Sequence, residues 1–172
     1  MQQFLKVFVD IVLWRRGPQD LPSSGLLVVM TLVAYELVNL LQIALMDVSV
    51  PELVLYLVID PLVLMGGLWL ALQLFGHRER WPQTASAVLG CSALMALVIS
   101  VPMLLLAGAP TTQAPSGALQ LLALAMVLAF ILVIGRIIRL ATDTNLFTGC
   151  AIAATYVVVL HALAGIMRTS GP

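Results

Sequence analysis

Five long apolar stretches, separated by short clusters of charged or turn-forming residues, set the pattern of this chain. They cover residues 24–46, 52–75, 84–107, 117–140 and 146–167. Each has the roughly 20 residues that a helix needs to cross a hydrocarbon layer about 30 Å thick. Between them lie Asp47-Val48-Ser49-Val50-Pro51, the charged loop Gly76-His77-Arg78-Glu79-Arg80-Trp81-Pro82, an uncharged loop at 108–116 and the tight turn Ala141-Thr142-Asp143-Thr144-Asn145. Ahead of them, residues 2–16 (QQFLKVFVDIVLWRR) are too short to span. Gln3, Lys6 and Asp10 recur there at helical spacing, and Lys6 and Asp10 can pair at i, i+4. Apolar side chains cover the remaining surface. The pattern predicts an amphipathic helix in the membrane interface, with Trp14, Arg15 and Arg16 at headgroup level. Packing under the bundle as an ordinary core helix is the alternative. Gly17-Pro18 then ends the helix. The expected fold is all-α: a polytopic integral membrane bundle of five transmembrane helices with an N-terminal amphipathic interfacial helix, forming one membrane domain over 1–172. Short connections predict that sequential spans are antiparallel neighbours.

Composition supports lipid as the solvent. Of 172 residues, 62% are hydrophobic and 9% charged, and mean hydropathy is +1.10. A soluble domain carries about a quarter charged residues. The net charge is zero, so bulk charge gives no footing for a nucleic-acid partner. Asp10 interrupts the first apolar segment, and Trp14-Arg15-Arg16-Gly17-Pro18 stands where a small-residue cleavage site would be needed. A cleaved signal peptide is therefore not expected. Cys91 and Cys150 lie far apart in apolar runs and read as small core residues.

Charge also orients the spans. The basic residues are Lys6, Arg15, Arg16, Arg78, Arg80, Arg136, Arg139 and Arg168. With five spans, all but Arg168 fall on one side, which predicts a cytoplasmic N-terminus and a C-terminus outside. Arginine far outnumbers lysine, amid much Ala, Leu, Val and Gly, a bias that suggests a GC-rich bacterial gene and hence the inner membrane.

Polar residues inside the spans are the candidates for chemistry. Glu36 lies roughly 15 Å from the outer end of its span at 1.5 Å per residue, and Asn39 roughly 10 Å. By the same rise Asp60 lies roughly 12 Å from its outer end and His161 roughly 10 Å. Glu36, Asp60 and His161 thus share one depth band. They suggest an intramembrane polar cluster, supported by Asn39, Tyr35 and Gln42, that relays protons, binds a cation or holds a polar ligand. The alternative is that these groups only hydrogen-bond between helices, or that Asp60 answers the backbone freed by Pro61.

Arg15, Arg16, Arg78, Arg80, Arg136 and Arg139 form an expected cytoplasmic basic collar. It serves topology and anionic headgroups, or docks an acidic partner or a lipid phosphate. Arg139 and Asp143 are spaced to pair. Small-xxx-small pairs at Ser86/Gly90, Gly67/Ala71, Gly149/Ala153 and Ala125/Ala129 allow close helix approach. Pro61 and Pro102 mark expected kinks. Catalytic and nucleotide-binding motifs are absent, and His77 and His161 fall on opposite sides of the membrane. No metal, cofactor or catalytic residue is therefore expected.

Phe75-Gly76, then Arg80-Trp81-Pro82-Gln83-Thr84 running to Leu89-Gly90, resembles the way the Yip family of five-span membrane proteins leads into its third span. Pro102 part-way along, and Leu132-Val133-Ile134-Gly135 ahead of a helix-breaking turn, are also similar. The second glycine of the family's usual pair is His77 here, and the long N-terminal region of the eukaryotic members is missing. The resemblance rests on a few positions over residues 60–165. It implies a membrane-shaping, trafficking or scaffold role through partner proteins, and no catalytic residues. The expected function is a non-enzymatic inner-membrane scaffold, assembly factor or accessory subunit acting through lipids and a protein partner or a second copy. A small transporter or channel component using Glu36, Asp60 and His161 is the alternative.

Overall fold

The computed structural model describes residues 2–44, 50–107 and 117–169, and these contain no strand. Helix α1 spans Gln2–Val12, α2 Gly25–Ala44, α3 Val50–Val54, α4 Asp60–Leu74, α5 Trp81–Ala107, α6 Gly117–Thr142 and α7 Leu146–Thr169. A π-helical turn, Leu55–Ile59, joins α3 to α4 in one continuous rod. Five helices are long and apolar enough to cross a membrane, with α3, the π turn and α4 together supplying one of them. The uncharged loop 108–116 and residues 47–49 of the 47–51 loop lie outside the described residues. Two boundaries differ from expectation for the same reason. Pro51 and Pro82, read as loop residues, both sit in the first turn of a helix. There the missing N–H has no intrahelical partner to lose.

Helix α5 is the centre of the bundle. Its candidate span, Arg78–Ser100, is 61% buried, against 33% or less for each of the others. Ala85, Ser86, Ala87, Gly90, Cys91, Ser92 and Ala93 are all buried, and such small side chains let neighbours approach closely. The main neighbour of α2 is α5 rather than the next span in sequence. The two run parallel: Gln83 reaches the Leu21 carbonyl just before α2 (3.0 Å), and Gln42 near the far end of α2 reaches Ala96 O and Ser100 Oγ (3.1 and 2.8 Å). The expectation of sequential neighbours is met for α2 only at the π turn and Asp60, because its main packing is on the small-residue surface of α5. The expectation holds for α6 and α7, which cross where Gly135 meets Gly149 and Cys150.

Helix α1 packs on α5 and is anchored at its C-terminal end by α6. The Phe8 ring fills the space a Cβ on Gly90 would occupy, and Ile11 is buried. Leu5, Val9, Leu13 and Trp14 stay exposed, so the helix has one face on protein and another free for lipid. Its C-terminus closes with Arg15 N–H to Asp10 O and Trp14 N–H to Ile11 O, the paired bonds of a Schellman cap. Trp14 takes the left-handed position (φ 66°), where glycine is usual. Arg136 of α6 explains why a tryptophan stands there. Its guanidinium lies 5.1 Å from the Trp14 ring centre and donates to the carbonyls of Ile11, Trp14 and Arg16. The expected Lys6–Asp10 pair is replaced by Asp10 with Arg16 at 3.5 Å, since the cap turns Arg16 back over the helix.

The α6–α7 crossing gives a direct test. A Cβ on Gly149 would collide with the backbone carbonyl of Gly135, which cannot give way as a side chain can. Gly149→Ala should therefore cost about 1–3 kcal/mol, the usual range for overpacking. Gly67→Ala, where nothing lies within 4 Å of the new Cβ, should be neutral or slightly stabilising. Thermal unfolding of the two purified variants in one detergent reads the difference.

Candidate functional site: an intramembrane chamber around Asp60

The site begins with a backbone irregularity. In an ordinary α-helix the Pro61 ring would press on the carbonyl four residues back. The chain instead widens for one turn: Asp60 N–H bonds to Leu55 O, five residues earlier. Such π turns recur at functional sites. The expected kink at Pro61 is thus accommodated by the wide turn, which also fixes where the Asp60 side chain leaves the helix.

Asp60 is 3% exposed, and each of its oxygens accepts a tyrosine hydroxyl. Tyr35 of α2 donates to Oδ2, and Tyr156 of α7 donates to Oδ1. One carboxylate therefore ties together three helices that are far apart in sequence. Bonds to an ionised acceptor are about twice as strong as neutral ones. This arrangement satisfies a group that hydrocarbon would otherwise exclude.

Asp60 opens on a cavity of about 390 Å³ bounded by α2, the π turn, α5, α6 and α7. Asn39, Gln42 and His161 line it, as the shared depth band predicted. Glu36 does not line it. Successive residues on a helix point about 100° apart, so when Tyr35 faces Asp60, Glu36 is carried round toward the outside of α2. Of the expected trio, Asp60 and His161 line the cavity, while Glu36 lies outside it yet within electrostatic reach of Asp60. The fate of Glu36 is distinct: its Oε1 is shielded from solvent and has no hydrogen-bond partner.

Sequence reasoning missed three lining residues, Tyr56, Ser92 and Tyr156. The signal for Tyr156 was present. The chain has three tyrosines, and all three line this cavity. Tyr35 and Tyr156 lie near the middle of their spans, away from the ends where interfacial tyrosines belong. Ser92 gave no such sign. Thr31, Thr84, Ser86, Ser100, Thr142 and Thr155 all donate to the carbonyl four residues back. Ser92, 3% exposed, makes no such bond, and its Oγ has no partner. The Asn39 Nδ2 group is likewise buried and makes no full hydrogen bond.

Tyr156 is also the boundary to a second space. An apolar cavity of about 460 Å³ lies between α4 and α7, lined by residues such as Leu64, Leu68, Ile134 and Ile152. Tyr156 is the one lining residue the two cavities share. Its hydroxyl on Asp60 thus stands between a polar chamber and an apolar one.

The basic collar divides into two groups. Arg136 is spent on α1, Arg16 on Asp10, and Arg80 on Asp143 (2.8 Å) and Ala141 O (3.3 Å). Arg15, Arg78 and Arg139 are exposed. Asp143 pairs with Arg80 and His77, not with Arg139 as expected. It occupies a left-handed cap (φ 52°), which turns it off the α6 surface toward the α4–α5 loop.

No protein-family model, curated protein or solved structure matches the chain. The site's energetics can be tested directly. Tyr156→Phe removes one of the two hydroxyls on a buried carboxylate and should lower stability by about 1.5–3 kcal/mol, the range for bonds to charged groups. Tyr35→Phe should cost a similar amount. The double variant should cost more than the sum, because the carboxylate is then left with neither hydroxyl. Denaturation of the four proteins in one detergent completes the cycle.

Proposed function

We propose that this chain is a small polytopic membrane protein that holds a ligand inside its bundle, in the Asp60 chamber, as a transport or receptor component. One observation carries the reading: the chamber's polar groups are not used up on one another. Hydroxyls with no task at a site are satisfied by their own helix, as the six back-bonded ones are. Here Ser92 Oγ stays unpartnered beside a buried carboxylate, and Asn39 Nδ2 makes no full hydrogen bond, only a weaker contact with the Tyr35 hydroxyl. An unmet buried polar group costs about 1–3 kcal/mol, and a ligand or water that meets it recovers that cost. The charge asymmetry of the loops supports a cytoplasmic N-terminus, and the arginine-rich composition is what suggests a bacterial inner membrane. The role is binding rather than catalysis.

The chamber can be probed with a small neutral thiol reagent. In a background of Cys91→Ala and Cys150→Ala, Ser92→Cys should react readily with methyl methanethiosulfonate. Ser86→Cys is the control: Ser86 is fully buried, bonded to Pro82 O and lines none of the cavities. If Ser92→Cys reacts no faster than Ser86→Cys, the chamber is closed and the reading fails.

A scaffold or assembly role is the second reading, and Glu36 favours it. This residue is half-buried beside the exposed Leu37 and Leu40, and its shielded oxygen lacks a partner within the chain. A helix from another chain is one way to supply a donor there. Under this reading Glu36→Leu shifts the particle to a smaller mass in light scattering after size exclusion, while labelling at position 92 is unchanged.

A further inference from the structure

We infer that the chamber's ligand is a small organic ammonium ion with an apolar or aromatic body, its charged head on Asp60. This rests on the chamber reading above and adds the ligand's chemistry to it.

The argument starts from the balance of donors and acceptors. Asp60 has about four lone-pair sites, and the two tyrosines use two. Gln42 spends its amide nitrogen on Ala96 O and Ser100 Oγ, so its carbonyl oxygen is the group left over. His161 Nδ1 lies 2.9 Å from the Val157 carbonyl, which can only accept, so Nδ1 carries the proton. In that tautomer Nε2 is an acceptor. Ser92 Oγ is free to accept or donate. Only the Asn39 Nδ2 group adds a pure donor. The surplus is of acceptors, so the matching ligand donates.

Charge points the same way. Among the described residues no lysine or arginine lines the chamber. The tyrosines meet both carboxyl oxygens with dipoles, and the site is left without a cationic partner for an ionised Asp60. A bound cation supplies the missing charge, and the low dielectric strengthens the pair. The walls then decide what kind of cation. Tyr35, Tyr56, Phe130 and Tyr156 line the chamber, and aromatic faces attract ammonium ions. The remaining wall is largely aliphatic, including Ile99, Leu122 and Leu160. At about 390 Å³ the space is in the range of small-molecule sites and much larger than a bare metal ion. Among the described residues no three His, Cys, Asp or Glu side chains gather to hold a metal.

The experiment uses the full chain in detergent and three probes of nearly one shape: 2-phenylethylammonium, phenylacetate and 2-phenylethanol. The ammonium ion should raise the unfolding temperature in a saturable way, and the anion should not. Asp60→Asn should abolish the shift, and Ser92→Ala should weaken it. Because Asp60→Asn risks misfolding, protection of Ser92→Cys is the second readout. At a ligand concentration about ten times its Kd, the ammonium ion should slow labelling about tenfold by occupancy, with phenylacetate inactive. Equal effects from 2-phenylethanol, an equal effect from sodium chloride alone, or a shift that survives in folded Asp60→Asn would each overturn the inference. Ready labelling at position 92 with no ammonium protection would leave the chamber standing and remove only its proposed ligand. No labelling would remove the chamber itself.

Discussion

A carboxylate in hydrocarbon has to be met by groups its own helix cannot supply, and the arrangement of this bundle follows from how Asp60 is met. Its two oxygens are claimed by Tyr35 and Tyr156, so α2 and α7 have to reach α4 at one level. Apolar contact alone would not fix that level, because lipid tails are as apolar as the side chains they would replace. Directional bonds to a buried charge do fix it. The polar chamber is what remains on the side of Asp60 that the tyrosines leave open.

Close packing is supplied elsewhere, by residues too small to carry chemistry. The buried N-terminal half of α5 is built largely of Ala, Ser, Gly and Cys, and it accepts α1, α2 and α6 around it. Phe8 over Gly90, and Gly135 against Gly149, are contacts between backbones and single groups rather than between bulky side chains. The bundle thus separates its tasks. Small residues around the N-terminal half of α5 bring helices together, and Asp60 with its tyrosines sets their register.

The fold class was legible from the sequence because its signals are long and redundant: five apolar runs and one-sided charge. The depth band was legible too, since a constant rise per residue converts position into height. Azimuth was not. Glu36 and Tyr35 are adjacent in sequence, and only the packing of α2 decides that Tyr35 faces the chamber while Glu36 turns away. Partner choice was equally hidden. Arg136 reads as a loop-side cation until α1 folds back and presents three carbonyls and a ring to it. Ser92 was hidden for a further reason: what marks it is a bond it does not make.

The wide turn at Leu55–Ile59 has a consequence for how this helix tolerates changes in length. A π turn holds one residue more than the α-helical turn it replaces, so the rod carries a spare residue next to its most constrained side chain. A π turn closes on the residue five back where an α turn closes on the residue four back, so it takes in the extra residue while leaving the rod before it and the rod after it nearly in phase. Deleting one of these five would keep that phase but bring the Pro61 ring back against the carbonyl four residues before it. The wide turn thus lets one membrane-crossing rod carry a proline and a buried carboxylate side by side.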